Sequence, residues 1–174
     1  MGHGSDPVCG EPYLAVCWLS GAGMLKKIIQ TARVKSPWLL HYDCSSCNGC
    51  DIEVLACLTP VYDIERFGIV NVGNPMHADI LLVTGTVNYR NRKVLLNLFD
   101  QMPDPKVVVA IGSCALSGGI FREAYNVVGG VDRVIPVNVY VPGCPAKPEA
   151  IIDGVVMSLK TLGQKEKEKK ADAA

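Results

Sequence analysis

Residues 38–50 read Trp-Leu-Leu-His-Tyr-Asp-Cys-Ser-Ser-Cys-Asn-Gly-Cys, an apolar run that leads directly into a turn rich in cysteine. Two later stretches follow the same order, Val-Val-Val-Ala-Ile-Gly-Ser-Cys at 107–114 and Val-Tyr-Val-Pro-Gly-Cys-Pro at 139–145. Helical patterns alternate with such apolar runs along the chain, which is typical of a parallel sheet wound with crossover helices. The sequence therefore predicts an α/β fold with an open parallel sheet.

The apolar runs and the helical periodicity place the individual elements. The predicted strands are Trp38 to Tyr42, Phe67 to Val72, Ile80 to Thr84, Val107 to Ile111 and Val137 to Val141. The predicted helices are Ile52 to Leu58, Arg92 to Met102 and Pro148 to Leu162, and an amphipathic helix is predicted from Met24 to just before Pro37. Apolar and basic residues take opposite faces of that first helix, so it packs on its own domain, on a neighbouring subunit or on anionic lipid.

Length and composition favour one domain that works as a subunit. The 174 residues suffice for one core, which we assign to 36–162, between an N-terminal extension with the first helix at 1–35 and a charged tail at 163–174. Hydrophobic residues make up 49% and charged residues 20%, so partners are expected to cover part of the surface. The formal net charge is zero, which gives no reason to expect a nucleic-acid partner. The uncharged runs are shorter than the roughly 20 residues of a spanning helix, and no secretory signal is recognisable, so we expect a cytoplasmic protein.

The cysteines after the three apolar runs form the candidate site. Loops that follow the carboxyl ends of parallel strands share one edge of the sheet, where such folds bind ligands. Cys47, Cys50, Cys114 and Cys144 are therefore expected to converge there and to supply four thiolates. Four thiolates suit an iron-sulfur cluster or a structural zinc ion. A zinc site usually has two paired Cys-x-x-Cys knuckles, whereas one pair is present here, so the cluster is the favoured interpretation, with zinc and plain buried thiols as alternatives.

Cys44, Cys47 and Cys50 resemble the start of a bacterial ferredoxin motif, but Val54 occupies the place of its next cysteine. Cys44 is interpreted as a buried or spare thiol at the end of the strand. The alternative that Cys44 is a ligand in place of Cys47 is left open. Cys57 is expected to be a buried thiol within the following helix.

Two acidic residues, Asp51 and Glu53, follow Cys50 in the first turn of the predicted helix. The helix dipole favours carboxylates at that position, which is a sufficient structural reason for both. A functional alternative is that Glu53 relays protons toward a neighbouring active site. His41 is interpreted as a packed strand residue, and the glycines around Cys114 as positions where the backbone approaches the cluster closely.

Five segments carry a resemblance to a known family. They are Ser-Cys-Asn-Gly-Cys-Asp-Ile-Glu (46–53), Leu-Thr-Pro-Val-Tyr-Asp-Ile-Glu-Arg-Phe-Gly (58–68), His-Ala-Asp-Ile-Leu-Leu-Val-Thr-Gly (77–85), Ile-Gly-Ser-Cys-Ala (111–115) and Val-Pro-Gly-Cys-Pro-Ala-Lys-Pro-Glu (141–149). Together they resemble the small, cluster-bearing subunit of archaeal-type membrane-bound energy-converting [NiFe] hydrogenases. The related small subunits of membrane-bound sulfane reductase and of respiratory complex I are similar too.

The resemblance implies a flavodoxin-like domain with helices on both faces of its sheet and one [4Fe-4S] cluster at the C-terminal edge of the strands. It implies Cys47, Cys50, Cys114 and Cys144 as ligands. It also implies a large catalytic subunit of the hydrogenase or complex I type, a polyferredoxin-like subunit that delivers electrons from ferredoxin, and membrane-arm subunits. The expected location is peripheral, on the cytoplasmic face of the cell membrane.

The spacing of Cys47 and Cys50 indicates which branch of that family the chain resembles. Complex I small subunits carry two adjacent cysteines where this chain has Cys47-Asn-Gly-Cys50. This difference favours the hydrogenase or sulfane-reductase branch over a quinone reductase, and leaves the terminal acceptor open. A free-standing FMN carrier of the same fold is a rival, but cysteines stand where its phosphate-binding loop requires Ser, Thr and Gly. Cys9 and Cys17 in the extension are assigned no role.

Overall fold

The computed structural model describes residues 28–29, 31–33 and 35–172. Five strands form a parallel sheet, namely β1 (Trp38–Asp43), β2 (Val70–Asn71), β3 (Ile80–Thr84), β5 (Val107–Ile111) and β7 (Val139–Val141). Their order in the sheet is β2-β1-β3-β5-β7. Numbered along the chain within this sheet, their order is 2-1-3-4-5, which is the flavodoxin-like doubly wound arrangement. The predicted fold class is confirmed.

Helices cover both faces of the sheet. They are α1 (Gly49–Cys57), α2 (Tyr89–Gln101), α3 (Gly112–Ser117) and α4 (Pro148–Asp172). Alternate residues of the buried strands supply two cores, because successive side chains of a strand point to opposite faces. Ile80 and Leu82 pack in the core under α1 and α4, and Leu81 and Val83 pack in the core on the opposite face.

The central strands agree with the sequence prediction, and the differences lie at the periphery. β3 and β5 have the predicted bounds, whereas β2 is two residues long and β7 begins at Val139. A 3-10 helix at Ile64–Phe67 takes the start of the predicted second strand. α4 continues to Asp172, ten residues beyond the predicted end at Leu162, so much of the charged tail is helical. A small antiparallel pair, β4 (Val87–Asn88) and β6 (Val127–Gly129), was not predicted.

The predicted N-terminal helix is described from residue 28, where residues 28–29, 31–33 and 35 are helical. Ile28 and Ile29 on its apolar face are exposed, and Leu25 on the same face lies outside the described residues, so packing on its own domain stays a prediction. A contact with the domain is made by Arg33, whose Nε lies 3.1 Å from Oδ1 of the buried Asp79. Burial raises the pKa of Asp79, while the Trp38 N–H and the Arg33 guanidinium partly oppose that rise.

Two further expectations concern the ends of the chain and the membrane. The extension with Cys9 and Cys17, and the start of the helix at Met24, lie outside the described residues. Among the residues that are described, none of the helices combines the length and the apolar character that crossing a bilayer requires.

The centre of the sheet should dominate the stability of the protein. Leu82 in β3 is 1% exposed, whereas Leu55 in α1 is 55% exposed. We expect Leu82→Ala to lower the free energy of unfolding by about 2–5 kcal/mol, because it removes buried methyl groups and leaves a cavity. Leu55→Ala is the matched control, with an expected change within about 0.5 kcal/mol. Denaturant unfolding of the full chain measures both, and equal effects would contradict this assignment of the core.

Candidate metal centre

The register of the parallel strands brings the cysteine loops to one edge of the sheet. Asp43, Thr84 and Ile111 are aligned across β1, β3 and β5, and Ile111 is aligned in turn with Val141 of β7. Cys114 and Cys144 each come three residues after the last residue of their strand, and Cys47 comes four residues after Asp43. The predicted placement of the cysteine-bearing loops at the carboxyl edge of the sheet is therefore confirmed.

Hydrogen bonds link these loops to each other. The backbone N–H of Ser113 donates to the carbonyl of Gly143 at 2.8 Å, and the Ser113 hydroxyl donates to the same oxygen at 3.1 Å. The loop after β5 is thereby fixed against the loop after β7. A backbone N–H of Ala146 donates to the Cys50 thiol, which ties the start of α1 to the same loop.

The four predicted ligands are accessible and influence one another electrostatically. Cys47 and Cys144 are exposed, and Cys50 and Cys114 are half-buried. Burial raises the pKa of Cys114, and Cys144, Cys47 and Cys50 raise it further. Burial also raises the pKa of Cys50; Asp51, Cys47 and Cys144 add to that rise, and the Ala146 N–H opposes it. These raised pKa values favour the protonated thiols. A cationic metal centre would favour the thiolates instead, since only thiolates bind metals.

Glycines leave room for the sulfur atoms. A Cβ on Gly112 would lie 2.5 Å from the Cys50 sulfur, and one on Gly119 would lie 3.1 Å from the Cys114 sulfur. Both glycines have positive φ, at 84° and 53°. The backbone thus approaches these sulfurs as closely as a residue without a side chain allows, which agrees with the role inferred for these glycines from the sequence.

The residues between β1 and α1 are held by side chains. The Asp43 carboxylate accepts the backbone N–H groups of Ser45 and Ser46 at 2.9 and 2.7 Å. Asn91 at the start of α2 donates to the carbonyl of Cys44, whose own N–H donates to the Thr84 carbonyl at 2.9 Å. Cys44 is consequently fixed at the strand end and fully buried, as the sequence predicted for a structural thiol.

One polar network beside this loop was missed by the sequence analysis. Asp51 contacts Thr84 and Ser46, and its carboxylate also lies 3.0 Å from Nε2 of His41. His41 lies in β1 with a largely buried side chain, as predicted for a packed strand residue, and its polar partners were not predicted. Its partners are remote in sequence and come from a helix and a different strand, so sequence spacing gives no signal for them.

Glu53 and Cys57 lie on α1, after the proposed ligand Cys50. Glu53 is half-buried, and Cys57 is buried with its thiol donating to the Glu53 carbonyl at 3.2 Å. Burial raises the pKa of Cys57 to about 11, with Glu53 and Glu149 adding to the shift and a backbone hydrogen bond opposing it. The prediction of a buried thiol inside the helix is confirmed.

The donor set fits a thiolate-bound metal centre. Across the described parts of the chain, no three His, Cys, Asp or Glu side chains are grouped as they would be around one metal ion. Cys47, Cys50, Cys114 and Cys144 nevertheless stand on mutually hydrogen-bonded loops, close enough for their charges to interact, with glycines beside the sulfurs. These residues supply the four soft sulfur donors that an iron-sulfur cluster requires.

Thiol reactivity should separate the exposed cysteines from the buried ones. Burial and, secondarily, Asp43 raise the pKa of Cys44 to about 12. The reactive thiolate fraction at Cys44 is then about a thousandfold lower than at an ordinary cysteine. Among the six described cysteines of the cluster-free full chain at pH 8, iodoacetamide is expected to modify Cys47 and Cys144 first and to spare Cys44 and Cys57. Mass spectrometry of peptides would show the order, and early modification of Cys44 would contradict it.

Comparison with known proteins gives one family and several relatives. A family profile described as NADH ubiquinone oxidoreductase, 20 Kd subunit, matches residues 47–158, a range that includes all four cysteines. The chain is 50% identical over 141 residues to the probable membrane-bound hydrogenase subunit mbhJ of Pyrococcus furiosus, covering 80% of this chain and 84% of that protein. It is 47% identical over 144 residues to formate hydrogenlyase subunit 7 of Escherichia coli, covering 83% of this chain and 54% of that protein.

Solved structures show the same relationship. A chain of the membrane-bound sulfane sulfur reductase, an archaeal respiratory membrane complex, is 38% identical and superposes with a TM-score of 0.68, covering 79% of this chain and 76% of that one. A chain of an NAD+-reducing [NiFe]-hydrogenase is 18% identical with a TM-score of 0.55, covering 72% of this chain and 92% of the other. The second likeness supports the fold alone.

Proposed function

The chain belongs to the family of the NADH ubiquinone oxidoreductase 20 Kd subunit, and from that premise we propose that it is an electron-transfer subunit with one [4Fe-4S] cluster. It is a subunit of an oxidoreductase complex, of the membrane-bound hydrogenase or sulfane-reductase kind that is related to complex I. The observation that carries the proposal is the strand register that brings Cys47, Cys50, Cys114 and Cys144 to one edge of the sheet.

Each proposed ligand comes from a defined element of the fold. Cys47 comes from the loop before α1, Cys50 from the first turn of α1, Cys114 from α3 and Cys144 from the loop after β7. When bound, a [4Fe-4S] cluster supplies a one-electron redox centre, tuned by hydrogen bonds to its sulfurs and by burial. The Ala146 N–H at Cys50 and the partial burial of Cys50 and Cys114 are the tuning elements that this chain contributes.

Cys47 is preferred to Cys44 as the fourth ligand. Cys44 is fully buried, and both of its backbone polar groups are bonded, to Thr84 and to Asn91. Cys47 is exposed on the same edge as the other three, and its charge acts on Cys50 and Cys114. Ligation through Cys44 would require that strand end to rearrange.

The edge that carries the cysteines is also proposed to contact the catalytic partner. Ile52 and Leu55 are exposed on α1 just after Cys50, and Ile120 and Phe121 are exposed shortly after Cys114. Contiguous exposed apolar patches mark interaction sites, and we propose that these side chains belong to one such patch. We assign this edge to a large subunit of the hydrogenase or complex I type, which would receive electrons that reach this chain from ferredoxin through a polyferredoxin-like subunit.

We further propose that the complex holds this chain peripherally on the cytoplasmic side of the membrane, next to membrane-arm subunits. The relatives named for membrane-bound complexes support the association with a membrane. Fractionation of cells with and without the membrane-arm subunits would test it, and a chain that stays with the membrane in their absence would contradict the peripheral arrangement.

Metal analysis with spectroscopy tests the proposed cluster. The full chain is purified or reconstituted anaerobically, and iron, sulfide and zinc are measured together with the electron paramagnetic resonance spectrum after reduction by dithionite. About four irons and four sulfides per chain are expected. Cys44→Ala and Cys47→Ala form the decisive pair: the first should keep the cluster and the second should lose or alter it.

One result would overturn the proposed function, and another would correct only the proposed ligand set. One zinc ion per chain with no spectrum from the reduced protein would indicate a structural metal domain without a redox role. A full complement of iron in Cys47→Ala and none in Cys44→Ala would retain the electron-transfer role but replace one ligand.

The proposed proton relay at Glu53 stays a prediction. Its half-buried carboxylate lies about one helical turn beyond Cys50 on α1, in reach of the edge assigned to the large subunit. We expect Glu53→Gln to slow turnover of the assembled complex by about 10²–10⁴-fold without loss of the cluster, as for removal of a proton-transferring group. The exposed Glu65→Gln is the matched control, and equal turnover in both variants would contradict a relay.

A further inference from the structure

Three side chains from three elements meet beside the loop that carries Cys47 and Cys50. Asp51 stands in the first turn of α1, directly after Cys50. Its Oδ1 accepts a hydrogen bond of 2.5 Å from the Thr84 hydroxyl at the end of β3, and lies 3.0 Å from Nε2 of His41 in β1. His41 and Thr84 are also within 3.2 Å of each other.

The other carboxylate oxygen extends this network into the loop. The Ser46 hydroxyl donates to Oδ2 of Asp51. The same hydroxyl accepts the backbone N–H of Asn48 at 2.9 Å. Asn48 lies between the two cysteines and has a left-handed backbone with φ of 64°. A continuous set of hydrogen bonds therefore runs from two strands of the sheet to the residue that sets the spacing of Cys47 and Cys50.

The part of the network formed by His41, Asp51 and Thr84 is well shielded from water. The side chains of His41 and Asp51 are 18% and 13% exposed, and Thr84 is fully buried. β1 and β3 are paired throughout, from Leu39 with Ile80 to Asp43 with Thr84. Hydrogen bonds to an ionised group are strong, and they are stronger still where the local dielectric is low. The position of the Asp51 carboxylate is thus determined by the sheet as well as by its own helix.

The helix dipole explains a carboxylate in the first turn of α1, but not its partners. A charge that served the helix end alone would need no hydroxyl and imidazole from two strands. Asp51 is also the residue directly after the proposed ligand Cys50 in the first turn of α1, so its charge lies next to the site.

We propose that His41 and Thr84 are positioning residues that hold Asp51, and that Asp51 fixes the segment from Cys47 to Cys50 and places one negative charge at the residue next to the proposed ligand Cys50. This inference rests on the proposed cluster function. A fixed negative charge next to a redox centre disfavours the addition of an electron, so the network should keep the midpoint potential low.

Isosteric variants of the reconstituted full chain test this inference. Asp51→Asn removes the charge and keeps the shape, and Thr84→Val removes one hydroxyl that binds it. Thr84→Ser restores that hydroxyl, and Asp100→Asn makes the same charge change at an exposed site on α2. Iron content, midpoint potential and the spectrum of the reduced protein are measured for each.

In Asp51→Asn the ratio of reduced to oxidised cluster at a fixed potential should rise by at least about tenfold, which is about 59 mV for a one-electron couple. Thr84→Val should shift the potential in the same direction by less, and Thr84→Ser and Asp100→Asn should resemble the wild type. If Asp51→Asn does not fold, the Thr84 pair decides the question by the same readouts.

The failures are distinguishable. A wild-type chain without iron overturns the proposed function and this inference with it. A wild-type chain with its cluster, combined with unchanged potential and spectrum in Asp51→Asn or in Thr84→Val, overturns the inference alone.

Discussion

Replacing Cys114 with alanine is expected to abolish turnover of the assembled complex while leaving this chain folded. Cys114 is the single proposed ligand on α3, and after burial the other three proposed ligands raise the pKa of its thiol. Loss of groups that merely support a metal ligand typically costs about 10–100-fold in metal affinity or activity, so loss of the ligand itself should exceed that range. Hydrogen evolution or sulfane reduction with reduced ferredoxin measures the effect.

Cys57→Ala is the matched control for that experiment. Cys57 is buried on α1 and its thiol donates to backbone carbonyls rather than facing the proposed site. Its replacement should lower stability moderately but leave turnover near the wild-type rate. Near-normal turnover in Cys114→Ala, or equal losses in both variants, would show that the electron path does not depend on this edge of the sheet.

The central sheet was predictable because its strands are buried on both faces. β3 and β5 are continuous runs of apolar residues, which in a parallel sheet need no alternation. β2 was predicted at three times its observed length, since Phe67 belongs to a 3-10 helix and Gly68 adopts φ of 79°. Apolar content alone cannot distinguish an edge strand from an irregular segment that also covers the core.

The short elements near the cysteines escaped the sequence analysis for a local reason. α3 begins with Gly-Ser-Cys, and glycine is a poor residue for a helix interior. β4 and β6 are two and three residues long, too short to show any periodicity. These segments are specified by tertiary contacts with the central sheet rather than by their own propensities.

The candidate site was predictable to the extent that it follows from topology. Strand ends share an edge in any open parallel sheet, so the positions of Cys47, Cys50, Cys114 and Cys144 could be anticipated. The contact of His41 with Asp51 could not be anticipated from the sequence, because it depends on how the start of α1 is placed against β1. Sequence reasoning thus finds donors that follow strands, and misses side chains that reach between elements.

Gly112→Ala is expected to remove most of the proposed cluster, through the addition of a single methyl group. The Cβ of the new residue would lie 2.5 Å from the Cys50 sulfur, well inside normal van der Waals contact. A φ of 84° adds a backbone cost of about 1–2 kcal/mol for a residue with a side chain. Either the Cys50 sulfur or the turn after β5 has to move, and both changes displace a proposed ligand.

Gly73→Ala separates the local clash from the general effect of losing a glycine. A Cβ at Gly73 meets no atom within 4 Å, so iron content and stability should match the wild type there. Gly119→Ala should fall between the two, because its Cβ would stand 3.1 Å from the Cys114 sulfur. The predicted order of cluster retention is therefore Gly73→Ala, then Gly119→Ala, then Gly112→Ala. Iron analysis after anaerobic reconstitution would test it, and full retention in Gly112→Ala would mean that Cys50 is not held against the turn after β5.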